Sequence, residues 1–199
     1  MIDAFIQERY PRQVKCRDDF EITIQPLTIE RIPIHMAMLL KLDEAGKAKL
    51  PHNVSDPNYA KRIQRQIEDG TTYRLGAWIH DETIIGSLSL YLGATTWIRH
   101  TGEVVWVTLP EYRRYGIAVQ LFEEIVPLAV ALSLEKIYAK LTEEHLEGIK
   151  LVKRLGFKLE ATLVDHARDS YGRYHNMYCY SIDLEGANRA MQERMTQFA

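Results

Sequence analysis

Residues 103–118 read EVVWVTLPEYRRYGIA. Val104 to Leu109 is a run of β-branched and apolar residues that predicts a buried strand. Pro110 ends it, because proline has no N–H to give a sheet ladder. Arg113, Gly116 and Ala118 follow in R-x-x-G-x-A spacing, and a helical pattern begins at once. A strand that gives way to a small-residue loop and then to a helix start is suited to holding phosphate. The loop N–H groups point outward and the helix terminus adds partial positive charge. The same spacing also fits an ordinary glycine-containing turn with no ligand.

Upstream, residues 72–80 and 83–92 are strand candidates joined through His80-Asp81-Glu82, a hairpin. Phe20 to Leu27 alternates Phe20, Ile22 and Ile24 with polar residues, as a half-buried strand does. Thr28 is placed to cap a helix with Ile34, Met38 and Leu42 on one face. Residues 46–55 read as a loop, and Asp56-Pro57 opens a second helix that Asp69-Gly70 closes. Residues 1–19 are mixed, carry Pro11 and read as an N-terminal extension whose structure the pattern leaves open.

Downstream, Ile117, Leu121, Ile125, Leu128 and Leu132 fall on one helical face, with Pro127 set to kink it near Glu123. Lys136 to Leu141 reads as a strand. The next helix carries Leu146, Ile149, Val152 and Leu155 and ends at Gly156 as a left-handed cap. Residues 157–164 and 174–183 form a final hairpin around Asp169-Ser170-Tyr171-Gly172. Residues 184–199 form a C-terminal helical tail, with Ala187, Met191, Met195 and Phe198 on one stripe. The expectation is a mixed α/β (α+β) domain over residues 20–183.

Composition excludes several classes. A chain of 199 residues with 46% hydrophobic content suits one globular domain. A net charge of −2 without a basic block argues against nucleic acid as a partner. The longest apolar stretch, Ile125 to Leu134, is too short for a membrane span. The start carries no signal-peptide core, and Cys16 and Cys179 lie far apart, so free thiols in a reducing cytoplasm are expected. The seven histidines show no metal-ligand spacing, and the glycines match neither G-x-G-x-x-G nor a P-loop.

The stretch V-x-L-P-E-Y-R-R-Y-G-I-A, the order of elements and the K-R-L-G-F segment at 153–157 together resemble the GCN5-related N-acetyltransferase (GNAT) superfamily over about residues 20–183. The resemblance implies a twisted, mostly antiparallel sheet splayed at a central parallel pair and flanked by helices, with acetyl-coenzyme A in the opening. It implies that the backbone of Val107, Thr108 and Leu109 pairs with the pantetheine arm. The segment Arg113, Arg114, Tyr115, Gly116, Ile117, Ala118, Val119 and Gln120 would then wrap the pyrophosphate. Physical reading agrees, since Gly116 and Ala118 are small enough for phosphate oxygens to approach the main chain.

Glu103, ten residues before Arg113, stands where some members carry a glutamate general base. An ammonium cannot attack a thioester, so a carboxylate at the edge of a cleft has a proton to accept. It reads equally as a solvated glutamate at a strand start. His145 occupies the place of the family's usual asparagine, and Val152 that of its usual tyrosine acid. His145 is a candidate for coenzyme binding or acid–base work, or else a plain helix-start histidine. Val152 has no proton to give, which leaves Tyr174, Tyr178 and Tyr180 as candidate donors.

The sequence therefore predicts acetyl transfer from acetyl-coenzyme A to a primary amine by direct attack, with no metal and no covalent enzyme intermediate. A backbone N–H near Val107 would stabilise the oxyanion. The acceptor is a small-molecule, peptide or protein amine. Asp43, Glu44, Glu82, Glu103, Glu143 and Glu144 lean toward a cationic one. A homodimer stays open, as do a non-catalytic acyl-coenzyme A-binding domain on the same fold and an interaction module working through the terminal helix.

Overall fold

The computed structural model describes residues 2–48, 50–80, 82–169 and 171–186. The chain clusters into two compact units, Met1–Tyr91 with Val105–Ile125, and Leu92–Val104 with Val126–Ala199.

The first unit contains α1 (Ile2–Arg9), β1 (Arg12–Lys15), β2 (Glu21–Pro26), α2 (Ile32–Leu40), α3 (Glu44–Ala48), α4 (Tyr59–Glu68), β3 (Thr72–Ile79) and most of β4 (Thr83–Leu92). It takes the later half of β5 (Thr101–Thr108) and the first turns of α5 (Ile117–Ala131). Strands β1, β2, β3 and β4 pair antiparallel in that order. Within residues 2–19, whose structure the sequence left open, the chain thus supplies a helix and a strand paired to β2.

The core of this unit gathers Leu27, Ile32, Met38, Leu39, Leu42, Tyr59, Ile63, Trp78 and Leu109. The sequence placed Ile34 on the buried face of α2, but it is 38% exposed, and Ile32, His35, Met38 and Leu39 face inward. The shift follows from the start of the helix. Thr28 precedes a single 3-10 turn, Ile29–Arg31, without a side-chain cap bond, and α2 begins only after Arg31. The expected loop at 46–55 overlaps α3, where the Asp43 carboxylate accepts from the Gly46 N–H at 2.9 Å. At α4 the Asp56 carboxylate accepts from the Asn58 N–H, so the helix starts two residues later than Pro57 suggested.

The second unit holds the first half of β5, the end of α5, β6 (Lys136–Thr142), α6 (Leu146–Arg154), β7 (Lys158–Arg168) and β8 (Tyr174–Asp183). Here β5 and β6 form a parallel pair (Thr101↔Lys136, Gly102↔Ile137, Glu103↔Tyr138), and β6–β8 and β8–β7 are antiparallel. The sheet is mixed and flanked by helices, as expected. Helix α5 carries Pro127 within its length. Gly156 has φ +92° and closes α6, with the Phe157 N–H donating to Val152 O, as a left-handed cap requires. Leu146, expected in the core, is 63% exposed at the head of α6. The stripe from Ala187 to Phe198 lies outside the described residues.

The turn between β7 and β8 is locked by Asp169. Its carboxylate accepts from the N–H groups of Tyr171 and Arg173, from Arg173 Nε at 2.7 Å, and contacts His175 Nε2 at 3.2 Å. Burial opposes ionisation, but the bonds from Arg173, His175 and Tyr171 outweigh it and hold this carboxyl well below its ordinary range. A depressed folded-state pKa stabilises above the unfolded value and is lost as pH falls. Asp169→Asn is therefore expected to lower the thermal midpoint at neutral pH. The difference from the parent chain should shrink once pH drops below about 4. A midpoint difference that stays constant from pH 7 to pH 3 would contradict this account.

Candidate active site

Within the first unit, β5 ends at Thr108, and Pro110–Tyr112 forms one 3-10 turn leading to the loop. Arg114 and Gly116 both adopt positive φ, +76° and +88°, immediately before α5 starts at Ile117. Gly116 suits that conformation, whereas a side chain there costs roughly 1–2 kcal/mol. Arg113 and Arg114 are exposed and, with Tyr115, Glu111 and Asp18, line an open depression. Ala118, Val119 and Gln120 are half-buried, but the Ile117 side chain is buried in the core, so only its main chain can meet a ligand.

The loop is braced by the N-terminal segment. The Arg17 N–H donates to Tyr115 O at 2.9 Å, and Phe20 stacks against Tyr115 and Tyr112 at 4.7 and 6.1 Å between centroids. Leu109 behaves differently from expectation. Its N–H donates to Ile85 O, its carbonyl accepts from the Tyr112 N–H, and its side chain is buried, so it anchors β5 and its N–H is not available to a coenzyme arm. Thr108 Oγ1 is buried without a partner.

Beside β5 in the same unit lies a narrow recess. Residues 105–107 of β5 form one wall, and His35, His52, Tyr59, Ser87, Ser89 and Tyr91 supply its polar groups. His35 is 3% exposed, with Nε2 3.0 Å from Ser87 Oγ. Burial, and then the nearby Arg74 charge, push its pKa down to about 3, so the ring is neutral at physiological pH. Sequence reasoning passed over His35 and Arg74. The available signal was a lone arginine inside an otherwise apolar strand.

In the second unit, Glu103 on β5 meets β6. Lys140 Nζ donates to its carboxylate at 3.0 Å, and Tyr138, opposite it in register, also hydrogen-bonds it. Burial, then the Glu103 charge, raise the Tyr138 hydroxyl above its ordinary value, so it stays protonated. Burial pulls the Lys140 ammonium down, but its bond to Glu103 outweighs this and the net shift is upward. Cys179, opposite Lys140 on β8, has its thiol raised chiefly by burial, and Cys16 likewise, with the Glu123 charge adding to it. Both cysteines are free thiols, as expected.

His145 stands at the start of α6. Its Nδ1 accepts from the Thr142 N–H at 2.9 Å, which places the proton of the neutral ring on Nε2. Val152 is fully buried. Of the tyrosines, Tyr180 is buried, Tyr174 is 62% exposed and Tyr178 is intermediate. Among the described residues no group of three or more His, Cys, Asp or Glu is placed to hold a metal. No helix among them is long and apolar enough to cross a membrane.

The sequence profile of the acetyltransferase (GNAT) family matches residues 39–157, more than half the chain and the whole β5–loop–α5 segment. The chain belongs to the GNAT family. Solved GNAT-fold structures agree on architecture. A GNAT acetyltransferase from Streptococcus pneumoniae superposes with a TM-score of 0.72 at 16% identity, covering 81% of this chain and 99% of that one. Mutant forms of the spermidine/spermine N-acetyltransferase SpeG from Vibrio cholerae give 0.68 at 19% identity, covering 85% and 98%. A ribosomal-protein-alanine N-acetyltransferase from Brucella melitensis gives 0.69 at 19% identity, covering 80% and 98%. At such identities the GNAT neighbours share the fold, and their acceptors remain their own. No curated protein sequence matches the chain.

Proposed function

We propose that this GNAT chain transfers an acetyl group from acetyl-coenzyme A to a primary amine by direct attack. The observation that carries the reading is the Arg113–Gly116 turn. It places two exposed guanidinium groups and two left-handed residues immediately before the N-terminus of α5. That donor set fits a pyrophosphate, through charge-assisted bonds from the arginines and main-chain N–H groups at the helix start. Val107 and Thr108 would hold the pantetheine arm, with Leu109 fixing the strand beneath them. The coenzyme supplies an activated acyl thioester.

Glu103 lies four residues before Val107 on the same strand. In this reading it accepts the proton of the incoming ammonium, directly or through water, while Lys140 and Tyr138 fix its orientation. His145, with its proton on Nε2, serves as a hydrogen-bond donor to the coenzyme rather than as a base. The raised thiols of Cys16 and Cys179 support transfer without an acyl-enzyme, since a protonated thiol is a poor nucleophile. The site is read as cytoplasmic, with no metal involved.

Titration with acetyl-coenzyme A and detection of free coenzyme thiol over an amine panel test the reading. Binding with acceptor-dependent thiol release is expected; absence of binding overturns it. Gly116→Val should weaken coenzyme binding about tenfold or more while leaving the far-ultraviolet dichroism unchanged. Val152, buried and without a hydroxyl, favours one second reading, a non-catalytic acyl-coenzyme A-binding domain. That reading predicts binding with no thiol release from any amine.

A further inference from the structure

The recess beside β5 has an electrostatic peculiarity. Arg74, on β3 opposite Ser89, is 3% exposed. Its Nη2 donates to Gln66 Oε1 at 2.5 Å and lies 3.5 Å from the Tyr91 hydroxyl, while Nε and Nη1 are buried without partners. Among the described residues Arg74 forms no ion pair. A buried guanidinium with no counter-charge and two idle donors is costly, and its contact with the Tyr91 ring, 5.4 Å from the centroid, offsets only part of that cost. Its charge is felt at His35 and Tyr59, both of which line the recess.

The recess itself is rich in donors and has no acid. Ser87, Ser89, Tyr59 and Tyr91 bring hydroxyls, and none of the lining side chains is a carboxylate. His35 Nδ1 is buried without a partner. With Nε2 accepting from the Ser87 hydroxyl, Nδ1 carries the ring proton and adds one more donor. The acidic residues that suggested a cationic acceptor, among them Asp43, Glu44 and Glu82, do not line this wall.

We propose that the recess takes the carboxylate of the acceptor, so that the amine acetylated by this chain belongs to a small amino-carboxylic acid. The carboxylate meets the Ser89 and His35 donors, the Ser87 hydroxyl being held by His35 Nε2, with the Arg74 charge behind them, and the amine lies toward residues 105–107 of β5. A polyamine in the same place would face that buried cation with no acid to receive it. The inference rests on the acetyltransferase reading and narrows its acceptor.

The test compares amino acids with their own amides, and with spermidine, as acceptors of the full chain. Thiol release gives kcat/KM, and titration calorimetry gives the dissociation constant of each acid and amide. At least one acid is expected to exceed its amide about tenfold or more in both measures, as a charge-assisted bond requires. Arg74→Gln should erase that preference and leave acetyl-coenzyme A binding unchanged, and Arg74→Lys should keep part of it. If Arg74→Gln does not fold, the acid–amide comparison on the parent chain decides alone. Amides or spermidine equal to or better than every acid overturns the proposal, and so does a panel in which no acid binds. Failure of the acetyltransferase reading is seen separately, as loss of acetyl-coenzyme A binding or of thiol release with all amines while the acid and amide dissociation constants are still measured.

Discussion

Glu103→Gln is expected to lower kcat by about a hundredfold or more, and to leave the acetyl-coenzyme A dissociation constant within about twofold, if the proposed general base is lost without loss of shape. The amide keeps the size of the side chain and can still accept from Lys140 and Tyr138, which hydrogen-bond the carboxylate in the parent chain. What it loses is the capacity to take a proton. If Glu103 only anchors the start of β5 to β6, the substitution should change stability and leave turnover alone. Measuring both the thermal midpoint and the pH profile of kcat/KM separates the two roles. Unaltered turnover across the working pH range removes Glu103 from the chemistry. Lys140→Met gives a second check, because it removes the ion pair and leaves the carboxylate in place. Its turnover should fall less than that of Glu103→Gln.

The second large effect concerns Glu124, a carboxylate 3% exposed on the apolar face of α5. Arg9 Nε reaches Oε2 at 2.7 Å, Arg12 Nη1 reaches Oε1 at 3.2 Å, and the Tyr10 hydroxyl donates to the Glu124 carbonyl at 3.4 Å. Three residues from the N-terminal segment thus converge on one helical position. Removing a buried ionic partner commonly costs about 3–5 kcal/mol. Here the two arginine side chains keep 23% and 44% of their exposure and would rehydrate. Glu124→Ala is therefore expected to cost roughly 2–3 kcal/mol, and Arg12→Ala under about 1 kcal/mol. Denaturant midpoints at constant slope measure both. A loss below about 0.5 kcal/mol for Glu124→Ala would show that the N-terminal segment does not depend on this tie.

Local pattern was enough where the chain is periodic and strongly punctuated. The strand at 83–92 was readable from its apolar run after a polar turn, and the left-handed cap at Gly156 and the break at Pro110 because one residue type decides each of them. The loop of Arg113 to Gly116 was readable for the same reason. Failures came where a partner distant in sequence decides the outcome. The extension 1–19 looks polar and irregular by itself, and acquires structure through β2 and through a carboxylate more than a hundred residues away. Ile34 and Leu146 satisfy helical spacing, yet the helices containing them start where tertiary packing sets the phase, and both residues end exposed. Lys140 and Tyr138 could not be joined to Glu103 without the parallel register of β5 and β6. Arg74 was visible as an odd charge in an apolar strand, but only its two unpartnered nitrogens, and the lack of an ion pair to it among the described residues, give it meaning.

The two raised thiols have a practical corollary for every assay that counts sulfhydryl groups. Disulfide-exchange reagents react with the thiolate, and both Cys16 and Cys179 hold less of it at neutral pH than an ordinary cysteine. The protein's own signal should then develop slowly, behind the fast phase given by a small, freely solvated thiol product. A rapid burst that scales with turnover, over a slow drift that scales with protein alone, is the trace this chain should leave in the cuvette.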